Sequence, residues 1–388
     1  MVLLDKSAMQ SFSQKESRFL SKHFSVVIPP ILITEVLADL SKVKSRKLPP
    51  AIEVMLLSRK LPPMDSYINS HYRQICIGAL LGKDLPMDGR PVVGGGVPLK
   101  TKDGSTGLFF EEPEEWRLIR NWQQGVFSAE DKAYAQRWRR MTDTLDLSLQ
   151  RRLARKLLQR APNLKSVKEA AAYADRLLEN PKPERQYRWL VGFMDQLRFP
   201  LKLRLQVLSR WQRIGSPPFK EFAPYAAYCN RANTIFGLSV VSDLVSTRPT
   251  NRVDLEYLYY LPFCMVFCSG DGFHETLCPP FLRNDPGWMG QSFVGREELK
   301  KDLGHLASEW EGLNEEEKKA RSSDYGCYPP PREESVTHRL WKKHMRPWKP
   351  GSGNLKLSAE QEKKLWEEMQ PMLDAIKEYE QQQGSKPK

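Results

Sequence analysis

The amino-acid sequence predicts an α/β fold in which one parallel sheet is assembled from two separated parts of the chain. Strand and helix patterns alternate near residues 1–45, and this alternation is typical of a parallel sheet. The same character returns over residues 223–282. Between these parts, apolar residues recur at three- and four-residue spacing, which predicts helices. We therefore expect a three-layer sheet domain that is divided by a mainly helical insertion.

The N-terminal part begins with a short apolar run over residues 2–4, which predicts a strand ending at Asp5. Ser13 and Glu16 have the spacing of a capping box, so a helix is expected to begin there. Residues 24–28 are apolar and rich in β-branched side chains, which predicts the second strand. A helix that carries Glu35 is expected after it.

The insertion is expected to span residues 46–220 and to be mainly helical. Its clearest helical patterns cover residues 166–178 and 184–197. Residues 86–113 are rich in Gly and Pro, and they predict an irregular loop. We expect this insertion to select a substrate or a protein partner.

The second part of the sheet domain is expected to span residues 221–282. It begins with a long helical pattern over residues 223–245, followed by a short helix for which Asp254 is the predicted N-cap. Residues 263–268 predict the third strand, and a tight loop ending at Asp271 follows. Residues 283–388 form a C-terminal extension, with a terminal helix predicted from Ser358 to about Gln381.

Composition restricts the class of protein. The 388 residues have a formal net charge of +13, which favours an anionic partner such as nucleic acid, although a basic surface also serves solubility. No apolar run is long enough to predict a membrane-spanning helix, and a charge at residue 5 argues against a signal peptide. These features predict a cytoplasmic protein without a membrane partner.

Cysteine spacing raises the alternative of a zinc site at Cys264, Cys268, His274 and Cys278. The first two cysteines lie on the predicted third strand, where four residues extend about 13 Å. Two ligands of one tetrahedral zinc ion must lie much closer together. We therefore interpret these residues as reduced cysteines of a protein core.

Four acidic residues follow or flank the predicted strands: Asp5, Glu35, Asp254 and Asp271. In a parallel sheet all the carboxyl ends of the strands meet at one edge, which is where ligands bind. Several carboxylates placed together repel one another unless a cation lies between them, and oxygen ligands suit Mg²⁺ or Mn²⁺. The sequence therefore predicts a metal site, with simple helix capping by these acids as the alternative.

These segments resemble the PIN-domain nucleases. The order Leu3-Leu4-Asp5, then Glu35 in the helix after the second strand, then Asp254 and the ending Ser269-Gly270-Asp271 is similar to that family's motifs. The resemblance implies metal-ligand and catalytic roles for the four acids, and it places Ser7 and Ser269 beside the site. Two departures are Lys6, where the family commonly has Thr, and the long insertion.

The resemblance implies a metal-dependent endoribonuclease that hydrolyses phosphodiester bonds, with single-stranded RNA as the substrate. In this interpretation a metal ion activates a water molecule and stabilises the leaving oxygen. The alternative is an inactive PIN-like scaffold that binds RNA or protein through its insertion and tail. A third interpretation leaves out the nuclease and treats the acids as helix caps.

Several other residues are candidates for RNA contact or for a role at the site. Arg231, Arg248 and Arg252 precede or flank the third acid and are candidates for RNA contact. Basic clusters with interleaved aromatic residues, over 137–160 and 338–349, suit either RNA or a solvated surface. We expect Asp39 to be a solvated helix residue and His274 to serve loop packing.

Overall fold

The structure of the chain is a computed structural model. It describes residues 1–42, 48–61, 66–101, 106–110, 112–157, 163–284, 290–318, 329–344 and 359–384. Among the residues discussed above, residues 158–160, residues 345–349 and Ser358 lie outside these ranges.

A five-stranded sheet forms the centre of the molecule, and its strand order is β3-β2-β1-β6-β7. All four strand pairs in it are parallel. A separate antiparallel hairpin is formed by β4 and β5. The strands are β1 Val2–Leu4, β2 Val26–Ile28, β3 Ser66–Ile68, β4 Gly96–Lys100, β5 Thr106–Phe110, β6 Val266–Ser269 and β7 Ser292–Gly295.

The two parts of the chain meet at the middle of this sheet. β1 pairs with β2 on one side, where Leu3 aligns with Val27, and with β6 on the other, where Leu4 aligns with Cys268. Every residue of β1, β2 and β6 is buried. Successive side chains of a strand point to opposite faces, so both faces of the sheet are covered. This arrangement confirms an α/β fold with a parallel sheet.

Helices account for most of the remaining described chain. They are α1 Lys6–Ser11, α2 Gln14–His23, α3 Pro30–Ala38, α4 Pro50–Ser58, α5 Tyr72–Leu80, α6 Glu114–Gln123, α7 Ala129–Asp143, α8 Leu147–Leu157, α9 Val167–Leu178, α10 Pro183–Gln196, α11 Leu201–Arg213, α12 Phe219–Phe222, α13 Pro224–Val241, α14 Thr250–Leu258, α15 Gly272–Leu277, α16 Arg296–Gly312, α17 Val336–His344 and α18 Ala359–Gly384.

Local sequence signals explain where several of these helices begin. The hydroxyl of Ser13 accepts from the Glu16 amide and the Glu16 carboxylate accepts from the Ser13 amide, which confirms the capping box of α2. α3 begins at Pro30, whose fixed φ suits a first helical turn. Ser166 caps α9, because its hydroxyl accepts from the Glu169 amide.

The sheet is wider than the sequence predicted. β3 comes from within residues 46–220 and β7 from within the C-terminal extension. The Gly- and Pro-rich segment predicted as an irregular loop contains the β4–β5 hairpin. Each of these strands is only three to five residues long. A strand that short leaves little periodicity to detect.

The third acid occupies a different position in its helix from the one predicted. α14 begins at Thr250 after Pro249, so Asp254 lies inside the helix and does not cap it. The strand that follows also begins later than expected, at Val266, because Leu261–Phe263 forms a turn of 3-10 helix. The position of Asp254 differs because Thr250 and Asn251 extend the helix before the acid.

The described cysteines are core residues, as predicted. Cys76, Cys229, Cys264, Cys268 and Cys278 are all buried and unpaired by disulfides. Burial raises the pKa of the Cys264 thiol to about 12, which keeps it protonated. No helix in the described ranges has the length and apolar character needed to cross a membrane.

Candidate carboxylate site

Asp5 lies at the centre of the candidate site, directly after β1. Its carboxylate is 3% exposed and accepts a hydrogen bond from the Ala8 amide at 2.8 Å, so it caps α1. The hydroxyl of Ser7 donates to it at 2.9 Å, and that of Ser269 donates at 2.6 Å. Burial opposes ionisation, but the His274 contact and the hydrogen bonds from Ser269 and Ala8 together lower the pKa of Asp5. Asp5 is therefore a carboxylate.

Ser7 and Ser269 join the loops that follow β1 and β6. Ser7 accepts from the Gly270 amide at 2.9 Å while it donates to Asp5. Ser269 accepts from the Asp271 amide at 3.0 Å. Each hydroxyl therefore links the Asp5 carboxylate, which follows β1, to the loop that follows β6. The two positions predicted to support the site do lie beside it.

His274 is fully buried on α15, and both of its ring nitrogens face hydrogen-bond acceptors. Nε2 lies 2.9 Å from the Asp254 carbonyl oxygen, so it carries a proton. Nδ1 lies 2.8 Å from the Ser269 hydroxyl, whose own hydrogen is donated to Asp5. Nδ1 is thus a donor as well, and it lies 3.3 Å from the Asp5 carboxylate. We assign His274 as an imidazolium.

The protonation of His274 depends on its acidic neighbours. Burial by itself favours the neutral ring, but the hydrogen bond and charge of Asp5, together with the charge of Asp254, raise the pKa of His274. The expectation that this residue serves only loop packing was wrong, because it is a charged partner of two of the predicted acids. A signal was present: His274 lies one helical turn after Asp271.

Glu35 on α3 faces α14. The hydroxyl of Tyr257 donates to its carboxylate at 2.5 Å. Burial raises the pKa of Glu35, whereas the charge of Lys6 and the Tyr257 hydrogen bond act in the opposite direction. Tyr257 is a site residue that the sequence did not indicate, since an aromatic residue in a helix is usually part of the core.

The charges of the other three acids oppose the ionisation of Asp254. Burial is the main reason why the pKa of Asp254 is raised to about 7, and His274 lowers it. The charges of Glu35, Asp271 and Asp5 raise it further. Asp271 is partly exposed and caps α15, accepting from the Phe273 amide at 2.9 Å. The structure thus places the four predicted acids close enough to affect one another electrostatically.

Lys6 places a cation beside the acids, as its position after Asp5 suggested. Its ammonium donates to the Asp39 carboxylate at 2.6 Å and to the Glu35 carbonyl oxygen at 2.9 Å. Asp39 is 2% exposed and also pairs with Lys42 at 2.9 Å. The expectation that Asp39 is a solvated helix residue was therefore wrong. It is a buried counter-ion that orients Lys6.

The three candidate arginines differ in how far their guanidinium groups are already engaged within the protein. Arg231 makes two hydrogen bonds to the Asp175 carboxylate, at 2.6 and 3.0 Å. Arg252 is partly buried and donates to the Tyr259 hydroxyl at 3.2 Å. Arg248 is exposed. A further arginine lies nearer the strand ends, because Arg296 packs directly on Gly270 and leaves no room for a Cβ there.

The donor chemistry of the site suits a hard cation, but the side chains are not arranged as a ligand group. Four carboxylates at one sheet edge provide oxygen donors of the kind that Mg²⁺ and Mn²⁺ prefer. Among the described residues, however, no three His, Cys, Asp or Glu side chains are spaced to hold a metal ion. Glu35 is held by Tyr257 and Asp5 by His274. Metal binding would require side-chain rotation at these positions.

Comparison with known proteins does not identify this chain. No family model, no curated protein and no solved structure matches it.

Proposed function

We propose that this protein is a metal-dependent PIN-like endoribonuclease that hydrolyses phosphodiester bonds of single-stranded RNA. The observation that carries the proposal is the convergence of Asp5, Glu35, Asp254 and Asp271 at the carboxyl edge of one parallel sheet. These acids come from parts of the chain that are more than 200 residues apart, yet Asp254 is affected by the charge of each of the others. The choice of RNA rests on the family resemblance.

The four acids would hold Mg²⁺ or Mn²⁺, which when bound would activate a water molecule and stabilise the leaving oxygen. The chain's own residues would orient those carboxylates. Ser7 and Ser269 fix the direction of the Asp5 oxygens by donating to both of them. Tyr257 holds Glu35 against α14, so Glu35 would rotate away from Tyr257 to reach a metal ion. Arg296 and Arg248 would supply positive charge for the RNA backbone.

The cleavage assay follows hydrolysis of a pool of single-stranded RNA with Mg²⁺ or Mn²⁺ present. We expect Asp5→Asn and Asp271→Asn to abolish cleavage, because each removes a charged donor oxygen while keeping the shape of the side chain. Removing one catalytic carboxylate is expected to reduce the rate by at least about a hundredfold. Asp84→Asn is the matched control, since Asp84 is exposed and outside the cluster.

Two measurements keep this assay decisive. Circular dichroism and thermal unfolding establish that each variant is folded, and EDTA establishes whether cleavage needs metal. Equal cleavage by wild type and both variants would reject the assigned roles. A wild-type protein that is folded and cleaves no RNA in either metal would reject the nuclease proposal.

One observation favours a second candidate, an inactive PIN-like scaffold that binds RNA or protein. His274 and Lys6 already place two cations among the acids, and the described carboxylates are not spaced as metal ligands. Internal cations of this kind can offset the repulsion that a metal would otherwise relieve. In this candidate the full-length protein binds RNA or a protein partner through its insertion and tail without cleaving RNA.

A further inference from the structure

Two residues on one face of α14 take part in the candidate site. Tyr257 lies three positions after Asp254, and residues at this spacing share a helix face. α14 packs against α3, which carries Glu35. The Tyr257 hydroxyl donates to the Glu35 carboxylate at 2.5 Å. One helix face therefore supplies an acid of the site and the hydroxyl that holds another acid.

The Tyr257 hydroxyl is fixed by its surroundings. Its side chain is 1% exposed, and its ring meets that of His274 edge to face, with centroids 5.6 Å apart. Burial is the main reason why the pKa of Tyr257 lies well above its ordinary value, and the charge of Glu35 adds to this effect. The hydroxyl therefore keeps its proton and remains a donor. Glu35 is partly exposed, so it is the partner that can move.

The position in which Tyr257 holds Glu35 does not complete a metal site. The part of the chain that the structure describes has no three acidic, His or Cys side chains at the spacing of a ligand group. The charge of Asp5 is nevertheless close enough to raise the pKa of Glu35. A rotation that brings Glu35 into a ligand group with Asp5 would have to break its bond to Tyr257. Because hydrogen bonds to ionised acceptors are stronger than neutral ones, the bond opposes that rotation.

A hydroxyl beside a carboxylate can also have the opposite effect on a metal site. Hydrogen bonds from neighbouring groups orient ligating carboxylates and increase the affinity for metal. That role requires the carboxylate to lie in a ligand position while the bond is made, and Glu35 does not lie in one. The two roles predict opposite effects when the hydroxyl is removed.

From these contacts we infer that Tyr257 opposes metal binding, because its hydroxyl holds Glu35 out of the ligand group until the hydrogen bond breaks. Tyr257 acts through Glu35 and is therefore a positioning residue. The affinity for a ligand falls with the fraction of molecules in the arrangement that binds it, so this hydrogen bond lowers the affinity for Mg²⁺ or Mn²⁺. The inference rests on the metal site of the proposed function, but it does not require cleavage of RNA.

Isothermal titration calorimetry of the full-length protein with Mn²⁺ tests this role. Tyr257→Phe removes the hydroxyl and keeps the ring beside His274. We expect the variant to bind Mn²⁺ at least about fivefold more tightly than wild type, because Glu35 no longer has to leave a donor. In EDTA the same variant should unfold at a lower temperature than wild type, because the Glu35 carboxylate has lost a hydrogen bond. A purely structural role would lower the unfolding temperature without tightening Mn²⁺ binding.

Tyr225→Phe is the matched control. Tyr225 is also 1% exposed, and it donates its hydroxyl to the Tyr259 carbonyl at 3.0 Å. This variant therefore loses a buried hydrogen bond that involves none of the four acids, and it should bind Mn²⁺ as wild type does.

A double substitution establishes whether Tyr257 acts through Glu35. In a protein that already carries Glu35→Gln, the carboxylate that the hydroxyl holds is gone. Adding Tyr257→Phe should then change the affinity for Mn²⁺ by less than about twofold. A gain as large as that in the wild-type background would contradict the role of Glu35.

Other outcomes separate this inference from the proposed function. Tighter Mn²⁺ binding by Tyr257→Phe, with no RNA cleavage by either protein, supports the role of Tyr257 and rejects the nuclease. Metal-dependent cleavage with equal Mn²⁺ affinities rejects the role of Tyr257 and retains the nuclease. Weaker binding by the variant would assign the hydroxyl an orienting role instead. If neither folded protein binds Mn²⁺, the inference is rejected together with the metal site.

Discussion

The pKa of Asp254 shows how burial and a cluster of acidic side chains oppose the ionisation of one member of the cluster. Its carboxyl group is partly buried inside α14, with Glu35, Asp271 and Asp5 close enough to oppose its ionisation and only His274 to favour it. The pKa of Asp254 is raised to about 7 from an ordinary value of 3.8. The folded protein therefore holds a proton on this residue over a pH range in which the unfolded chain has lost it.

This difference in pKa between the folded and unfolded states determines whether stability rises or falls with pH. Since the folded-state pKa of Asp254 exceeds the unfolded one, its contribution to stability is full below pH 4 and is lost as pH rises to about 7. Asp254→Asn removes the titration and keeps the shape. Each pKa unit corresponds to about 1.4 kcal/mol. Wild type loses this contribution as pH rises and the variant does not. The difference in free energy of unfolding, variant minus wild type, should therefore increase by roughly 2 kcal/mol from pH 5 to pH 8.

Urea unfolding in EDTA at several pH values measures this effect. Asp84→Asn is the comparison, because it removes an exposed carboxylate elsewhere and should track the wild type at every pH. A difference between wild type and Asp254→Asn that stays constant from pH 5 to pH 8 would show that Asp254 titrates normally in the folded protein.

At this scale the sequence indicated four acids near the strand ends, with Ser7, Ser269 and Lys6 beside them, but not their other partners. Asp5 and Asp271 follow apolar runs, and that position alone suggests a sheet edge. His274, Tyr257 and Asp39 could not be assigned in the same way, because their contacts cross between elements that are distant in the chain. A buried histidine or tyrosine has the same local pattern whether it packs in a core or meets a carboxylate.

At the scale of elements, local signals predicted helices better than strands. The capping box at Ser13 and the N-cap at Ser166 are each settled by residues three positions apart, so they can be recognised without knowing the fold. β3 and β7 have only three and four residues, and they exist because β2 and β6 offer parallel partners. Such strands depend on tertiary context, so their own sequence indicates them weakly.

The capping box gives a quantitative prediction for α2. Ser13→Ala removes the hydroxyl that accepts from the Glu16 amide, and a lost N-cap of this kind costs about 1 kcal/mol. We therefore expect the free energy of unfolding to fall by about that amount, as measured by urea denaturation. Ser21→Ala in the same helix should change stability less, because its hydroxyl bonds only to the Arg18 carbonyl of a preceding turn.

A loss of stability for Ser13→Ala no larger than that for Ser21→Ala would mean that the cap does not limit the stability of α2. The helix would then be held mainly by its packing against α16, which carries Leu299 and Leu303 among its buried residues.

At the scale of the whole molecule, the candidate site exists only because the sheet closes around β1. Asp5 follows a strand that lies between β2 and β6, and its backbone amide donates to the Cys268 carbonyl at 3.2 Å. The Ser269 hydroxyl then reaches Asp5 across 264 positions of sequence. The site and the global fold are therefore formed together, and any ligand that bridges these acids should stabilise the whole protein.

This coupling yields a prediction that separates the nuclease from the scaffold. A ligand that binds only the folded state stabilises it by about 2.7 kcal/mol at a free concentration one hundred times its dissociation constant. If the acids hold a metal, Mn²⁺ at that excess should raise the free energy of unfolding by about this amount. Asp5→Asn should abolish the increase, whereas Asp84→Asn should retain it.

Because His274 is a cation within the site, proton release provides a second measure of Mn²⁺ binding. At pH 7, bound Mn²⁺ would favour the ionised form of Asp254 and disfavour the imidazolium of His274, so binding should release protons. Calorimetry in buffers of different ionisation enthalpy measures that release. If wild-type protein is folded and is neither stabilised by Mn²⁺ nor made to release protons, the cations within the site already balance the acids. The scaffold then accounts for the cluster, and the carboxylates serve the architecture of the sheet edge.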